Sequence, residues 1–273
     1  MTESVNVRQR QILSWIERGE NVRVAELAGM FSVSEMTIRR DLTGLENMGK
    51  LLRTHGGAAL PAVPDMGTMA ERVSQMKNTK LSMARAAASL VNEGHRIFLG
   101  MGSSIMAVAH QLANGPDSHA LTTVPDIATA FVSAGRNTVE LTGGTLDPVS
   151  RGLGGERVVE AISKCFFDVA FVSAHSFSPE YGLVDSSDLQ RTLQPILARQ
   201  SRCYVVLADH SKLNRPGHHI SLDWRSVDVF VTDTRPGEDL LKVLSDAQVE
   251  LIVGEQFENM ALPEKYQLIE ERL

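Results

Sequence analysis

Between Ser34 and Arg40 the chain carries Ser34, Glu35, Met36, Thr37, Arg39 and Arg40. Arginine forks match phosphate oxygens and the guanine edge, and a threonine suits a phosphate or a thymine methyl. Lys50, Arg53 and His55 follow within one strand's length and add donors for a DNA backbone or minor groove. This is chemistry for a double-stranded DNA operator. The spacing does not say which arginine takes which task. The same pattern also fits a small three-helix packing or dimerisation module with a solvated charged face.

Such side chains need a rigid helix presented by a tight turn. Residues 7–18 read as a helix with Ile12, Leu13 and Ile16 on its apolar side, closed by Gly19. A second helix is expected at about 24–31, with Leu27, Ala28 and Phe31 inward. Ser32-Val33-Ser34 makes the turn, and Ser34 caps a third helix over 35–47. Ile38, Leu42 and Leu45 recur on one face of that helix. Residues 50–55 read as a strand, and Gly56-Gly57 would fold it into a wing hairpin.

The stretch VSEMTIRRDLTGLENMGKLLRTHGGA closely resembles the signature of the DeoR family of bacterial sugar-metabolism repressors. Ser34, Thr37, Ile38, Arg39, Arg40, Asp41, Leu42, Leu45, Gly49, Arg53, His55, Gly56, Gly57 and Ala58 match it in order without a gap. Val24 departs from the serine or threonine that often caps the second helix. The resemblance implies a winged helix-turn-helix that binds an operator.

A second group of residues has anion chemistry. Gly100-Met101-Gly102-Ser103-Ser104 lies between a strand and a helix. Its glycines allow close backbone approach, the helix N-terminus offers free N–H groups, and the serines add hydroxyls. The loop is neither a Walker loop nor a dinucleotide fingerprint, since Ile105 stands where a third glycine belongs. A plain tight turn is the alternative. Thr122-Thr123, Gly143-Gly144 and Lys212 fall at equivalent strand ends, and for Lys212 the alternative is a solvated surface lysine.

Strands are expected at 97–99, 120–123, 139–142, 169–173, 204–208, 229–232 and 251–253. Helices are expected at about 79–91, 104–112, 126–134, 157–165, 188–199 and 238–247. That alternation indicates a mostly parallel sheet covered on both faces. Ligands of such sheets bind beyond the C-terminal strand ends.

The segment 75–253 is similar to the sensor domain of the same family, whose fold is related to ribose-5-phosphate isomerase. Gly102-Ser103-Ser104 resembles its Gly-Thr-Thr phosphate loop, Thr122-Thr123 its Thr-Asn, and Gly143-Gly144 its double glycine. Asp168, Ala170, Phe171, Gly182-Leu183, Ala208-Asp209 and Ser211-Lys212 also match. The resemblance implies a phosphorylated sugar or related metabolite as effector, held by Gly100, Gly102, Ser103, Ser104, Thr122, Thr123, Gly143, Gly144 and Lys212. Two positions depart from the family: Gly100 replaces an aspartate, and Leu193 is aligned with a helix lysine. Their loss would favour a smaller or less hydroxylated phosphate, or weaker binding.

The whole chain of 273 residues has a formal net charge of −6, so overall charge gives no nucleic-acid footprint. Residues 1–60 are close to neutral, with eight basic against seven acidic side chains. Cys165 and Cys203 are too few for a disulfide framework and read as buried thiols. There is no metal-ligand cluster, no cofactor motif and no apolar run long enough for a membrane span. A cytoplasmic location is expected. The organisation expected is 1–60 DNA-binding domain, 61–74 linker, 75–253 effector-sensing and oligomerisation domain, and 254–273 tail.

An isomerase with an accessory domain is the competing reading. It needs a general base, and Asp126, Asp185 and Asp209 are the candidates. No catalytic residue is assigned, because the carboxylate before the anion loop is missing and an isomerase has no use for a DNA-reading module. Paired modules usually read paired half-sites, so a homo-oligomer, dimer or tetramer, is expected.

Overall fold

The structure, a computed structural model, describes residues 8–12, 22–47, 52–54, 57–59, 69–74, 76–147, 150–185, 187–215, 217 and 219–254. Lys50 and His55, and the linker over 61–68, lie outside these residues, as does the tail apart from Gly254. The chain divides into two units, Met1–Met66 and Gly67–Leu273.

In the first unit, residues 8–12 are helical (α1). Strand β1 (Val22–Arg23) leads directly into α2 (Val24–Met30), followed by α3 (Glu35–Asn47), β2 (Leu52–Thr54) and β3 (Gly57–Ala59). Ile12, Val24, Leu27, Ile38, Leu42 and Leu45 are buried together and form the core. The turn between α2 and α3 is a Schellman closure. Val33 N donates to Ala28 O at 3.0 Å and Ser32 N to Gly29 O at 3.2 Å. Ser32 occupies the left-handed position usually given to glycine, with φ 52°. Ser34 then caps α3, its Oγ accepting from Thr37 N at 3.2 Å. β2 and β3 pair antiparallel as the expected wing. β1, read in sequence only as a connecting stretch, pairs with the other edge of β3.

The second unit begins with α4 (Met69–Ser74), which replaces the second half of the expected linker. The helix-breaking prolines stop at Pro64, and Val73 packs against the core. Next come α5 (Lys77–Ala88), β4 (Arg96–Leu99), α6 (Ser103–Leu112), β5 (His119–Thr122), α7 (Pro125–Phe131) and β6 (Thr138–Leu141). A ribbon of β7 (Thr145–Leu146) and β8 (Leu153–Gly154) precedes α8 (Glu156–Ser163) and β9 (Phe167–Val172). Then follow β10 (Ser176–Ser178), β11 (Gly182–Asp185), α9 (Asp188–Arg199), β12 (Ser201–Leu207) and β13 (His219–Leu222). The unit's last described elements are β14 (Val229–Thr232), α10 (Glu238–Asp246) and β15 (Glu250–Val253).

All seven expected strands enter one seven-stranded sheet, in the order β15-β14-β12-β9-β4-β5-β6. Each neighbouring pair is parallel. Alternate residues serve opposite cores. Leu99, Phe171, Val205 and Val231 face one, against α5, α6 and α7. Phe98, Ala170, Tyr204 and Phe230 face the other, against α8, α9 and α10. Cover on both faces explains the continuous apolar strands. Three short strands, β10-β11-β13, form a separate antiparallel sheet that the sequence reading lacked. No helix among the described residues is long and apolar enough to cross a membrane.

The order of the main sheet fixes where a ligand can sit. From β4 the chain proceeds through β5 and β6 on one side; β9, on its other side, continues through β12, β14 and β15. The β4–β9 boundary is therefore the topological switch point, where loops leave in opposite directions and open a crevice.

Candidate functional site

On α3, Ile38 and Leu42 face the core, while Glu35, Met36, Arg39 and Arg40 are exposed. The sequence-assigned residues divide by what already holds them. Ser34 and Thr37 are joined in the cap, their hydroxyls 2.9 Å apart. Glu35 and Arg39 pair at 3.4 Å, both about half exposed. Such a surface pair is weak and easily exchanged for a phosphate. Arg40 is exposed, and Arg53 lies in wing strand β2. Asp41, an acid on α3, is buried and accepts from Arg8 Nε at 2.5 Å.

At the switch point, Gly100 N donates to Phe171 O at 2.9 Å and extends the β4–β9 ladder by one bond. A Cβ at Gly100 would stand 3.0 Å from that same oxygen, so this close strand approach accounts for the glycine. Gly102 (φ 122°) precedes the first residue of α6, and a Cβ there would meet Ser173 Cβ at 3.4 Å. Ser104 is buried, and its Oγ has no hydrogen-bond partner among the described residues. That hydroxyl is closed off from solvent, an unpartnered polar atom under the first turn of α6.

Lys212 is buried, not solvated. Its Nζ donates to Ser173 Oγ at 2.6 Å and to Ala174 O at 2.9 Å. Burial pulls its pKa down to about 8 against the attraction of Asp209. Asp209 is pushed up by burial, but hydrogen bonds from Ser211 and the charge of Lys212 hold it below its ordinary value. Gly102, Ser173 and Lys212 thus meet across the β4–β9 crevice.

The other assigned residues are placed less directly. Thr122 is buried, and its Oγ1 accepts from Val124 N at 3.2 Å. Thr123 is buried, with its carbonyl held by Leu153 N at 2.7 Å. Gly143 and Gly144 have φ of 70° and 113°, and a Cβ on Gly144 would stand 2.5 Å from Gly154 O. The turn into β7 therefore accounts for both glycines without a ligand.

Leu193 lies in the apolar core and does not face the site. The polar member of that helix is its neighbour Gln194, which donates to Asp185 Oδ2 at 2.9 Å and accepts from the Tyr204 hydroxyl. Cys203 is buried, but Cys165 is only partly so, and Arg96 Nη2 approaches its sulfur at 3.7 Å.

Two groups near the site, Lys80 and the His210–Asp233 pair, were not read from sequence, and Asp185, read there only as a candidate base, is held in a buried network. Lys80 is buried on α5, and its Nζ donates to Arg72 O. Burial lowers its pKa while Asp209 opposes the shift. The signal was available, since Lys80, Ala84 and Ala87 share one helical face. Asp185 is buried under donors from His175 N at 3.1 Å, Gln194 and Ser221 Oγ at 2.7 Å. Burial raises its pKa and those donors oppose the rise. His210 Nδ1 and Asp233 Oδ2 are 2.5 Å apart, and that bond raises the histidine's pKa.

The comparisons agree with this division of labour. Residues 8–62 match the DeoR-like helix-turn-helix domain, and residues 75–234 match the DeoR C terminal sensor domain. The HTH-type transcriptional repressor GlcR of Bacillus subtilis is 29% identical over 90% of this chain and 95% of its own length. The glycerol-3-phosphate regulon repressor of Escherichia coli is 28% identical over 89% of this chain and 97% of its own. Among solved structures, ribose 5-phosphate isomerase A of Methanocaldococcus jannaschii aligns with a TM-score of 0.37 at 19% identity. That alignment covers 51% of this chain and 55% of the isomerase chain. With its reading module and sensor module both matched, the chain belongs to the DeoR family of DNA-binding transcriptional regulators.

Proposed function

We propose that the protein represses genes of carbohydrate metabolism and is modulated by a phosphorylated sugar or related metabolite bound at the β4–β9 crevice. The observation that carries this reading is the meeting of the α6 N-terminus at Gly102, the Ser173 hydroxyl and the buried Lys212 amine at the switch point. Each of these favours an anion, and together they fit a phosphate. Gly102, Ser103, Ser104 and Lys212 are assigned to the phosphate, with Thr122 and Thr123 on the neighbouring strand end. Two relatives, a transcriptional repressor and a glycerol-3-phosphate regulon repressor, support the same class.

Operator contacts are assigned to Arg39 and Arg40 on α3, with Lys50, Arg53 and His55 on or beside the wing. Glu35 sets Arg39 through their ion pair, and Ser34 and Thr37 fix the start of the helix. Two such modules, joined in a homodimer or tetramer through the sensor unit, match the paired half-sites typical of this motif.

The chain is not an enzyme, and the three carboxylates an isomerase would call on are occupied. Asp126 takes a two-point bond from Arg151 at 2.6 and 3.0 Å. Asp185 has three donors, and Asp209 accepts from Ser211 at 3.1 Å. The test is a gel shift of the upstream DNA with phosphorylated sugars added. Ser103→Ala with Ser104→Ala is expected to abolish the effector response and keep DNA binding. A normal response in the double variant would make the loop a turn and nothing more.

A further inference from the structure

Met36 is 75% exposed, an apolar side chain held in water on the first turn of α3. Successive residues of an α-helix are rotated by about 100°. Taking Ile38, Leu42 and Leu45 as the buried stripe, Met36 and Arg40 fall within about 30° of the opposite direction. Glu35 and Arg39 lie to one side and are engaged with each other; Thr37 lies to the other and is engaged by Ser34. The outermost pair on the first two turns of this helix is therefore one thioether and one guanidinium.

Resting on the reading of α3 as the element that enters the major groove, we infer that Met36 is a sequence-determining residue that packs on a thymine 5-methyl group. N-terminal residues of a recognition helix meet base edges, and the thymine methyl is the apolar feature of the major groove. Arg40, one turn on and on the same face, supplies the charge that holds the helix against the phosphates or a guanine. Burial of Met36 against a methyl removes the apolar surface it otherwise leaves in water.

The test uses the full chain and a duplex selected by it from random DNA. Each thymine is replaced in turn by deoxyuridine, which removes the methyl and leaves every hydrogen-bonding group. At one thymine per half-site the replacement is expected to weaken wild-type binding by about three- to tenfold. Met36→Ala should bind the parent duplex more weakly by a similar factor and ignore that replacement. Met36→Leu should keep the sensitivity. Thermal melts of all variants should match wild type, because the side chain is exposed. Wild-type binding that ignores every replacement, or Met36→Ala that keeps the sensitivity, overturns the inference. Arg39→Ala combined with Arg40→Ala separates the two levels. If it binds normally, the reading of α3 itself fails; if it binds weakly while Met36→Ala binds normally, only the assignment of Met36 fails.

Discussion

Lys212 Nζ lies 2.6 Å from Ser173 Oγ and so bridges the loop after β12 to the loop after β9, beside the glycine that opens α6. The amine is held by neutral oxygens while its pKa sits at about 8. A buried cation without a bonded anion is a receptor for one.

Lys212→Met should therefore lower affinity for a phosphorylated effector by about tenfold to a hundredfold, the worth of one charge-assisted contact. DNA binding without effector should be retained. Isothermal titration with glycerol 3-phosphate or a hexose phosphate that shifts the wild type would measure it.

The same amine sets a pH dependence. Below about 8 the folded protein carries Lys212 charged, ready for an anion. Above that pH it must regain a proton before binding, so wild-type affinity should fall as pH rises from 8 towards 10, and the Lys212→Met variant should lose this slope. Stability moves the other way. Between about 8 and the ordinary lysine value of 10.5 the unfolded chain holds more protons than the folded one. This group's contribution to stability therefore rises with pH across that window. Affinity flat from pH 7 to 10 would remove Lys212 from the phosphate contact.

Asp185 ties three elements together through His175 N, Gln194 and Ser221. Asp185→Ala takes the carboxylate acceptor from the buried Gln194 amide and from His175 N, while Ser221 Oγ keeps Leu183 O, and should destabilise the sensor unit by roughly 2–4 kcal/mol. Urea denaturation followed by Trp224 fluorescence would report it, since that indole is buried and bonded to Ser178 O at 2.8 Å. A change below about 0.5 kcal/mol, the scale of an ordinary surface substitution, would show that the network is dispensable.

Ser32 bears the left-handed conformation of the Schellman turn at φ 52°. Ser32→Gly should stabilise the N-terminal unit by about 0.5–1 kcal/mol, the left-handed strain less glycine's added chain entropy. Differential scanning calorimetry of the two proteins would show a higher midpoint for the first unit. A lower midpoint would mean that the serine hydroxyl contributes more than the strain.

Much of this was legible because the informative signals are local. The Ile38–Leu42–Leu45 stripe, the Ser34 cap and the seven apolar strand runs each depend on near neighbours in sequence. What escaped is set by distant contacts. β1 exists because β3, more than thirty residues later, has an edge to offer. The β10-β11-β13 sheet has strands of only three or four residues, too short to show a period. Lys212 carried no local sign of burial, because Ser173 and Ala174 that receive it belong to the loop after a distant strand, β9. Leu193, aligned in sequence with a helix lysine, packs in the core while its neighbour Gln194 makes the polar contacts, since one residue along a helix turns a side chain by about 100°.

The small β1-β3-β2 sheet has a further consequence for how the first unit comes into being. Its outer strands flank the whole of α2 and α3, so closing the sheet encloses both helices in a single loop. Loop closure of that kind is felt as one entropic step, and contacts so far apart in sequence form together or not at all. α3 and the β2-β3 hairpin therefore share one folding transition. A chain that lacks residues 57–59 loses the strand that joins β1 to β2, and with it the clasp around both helices.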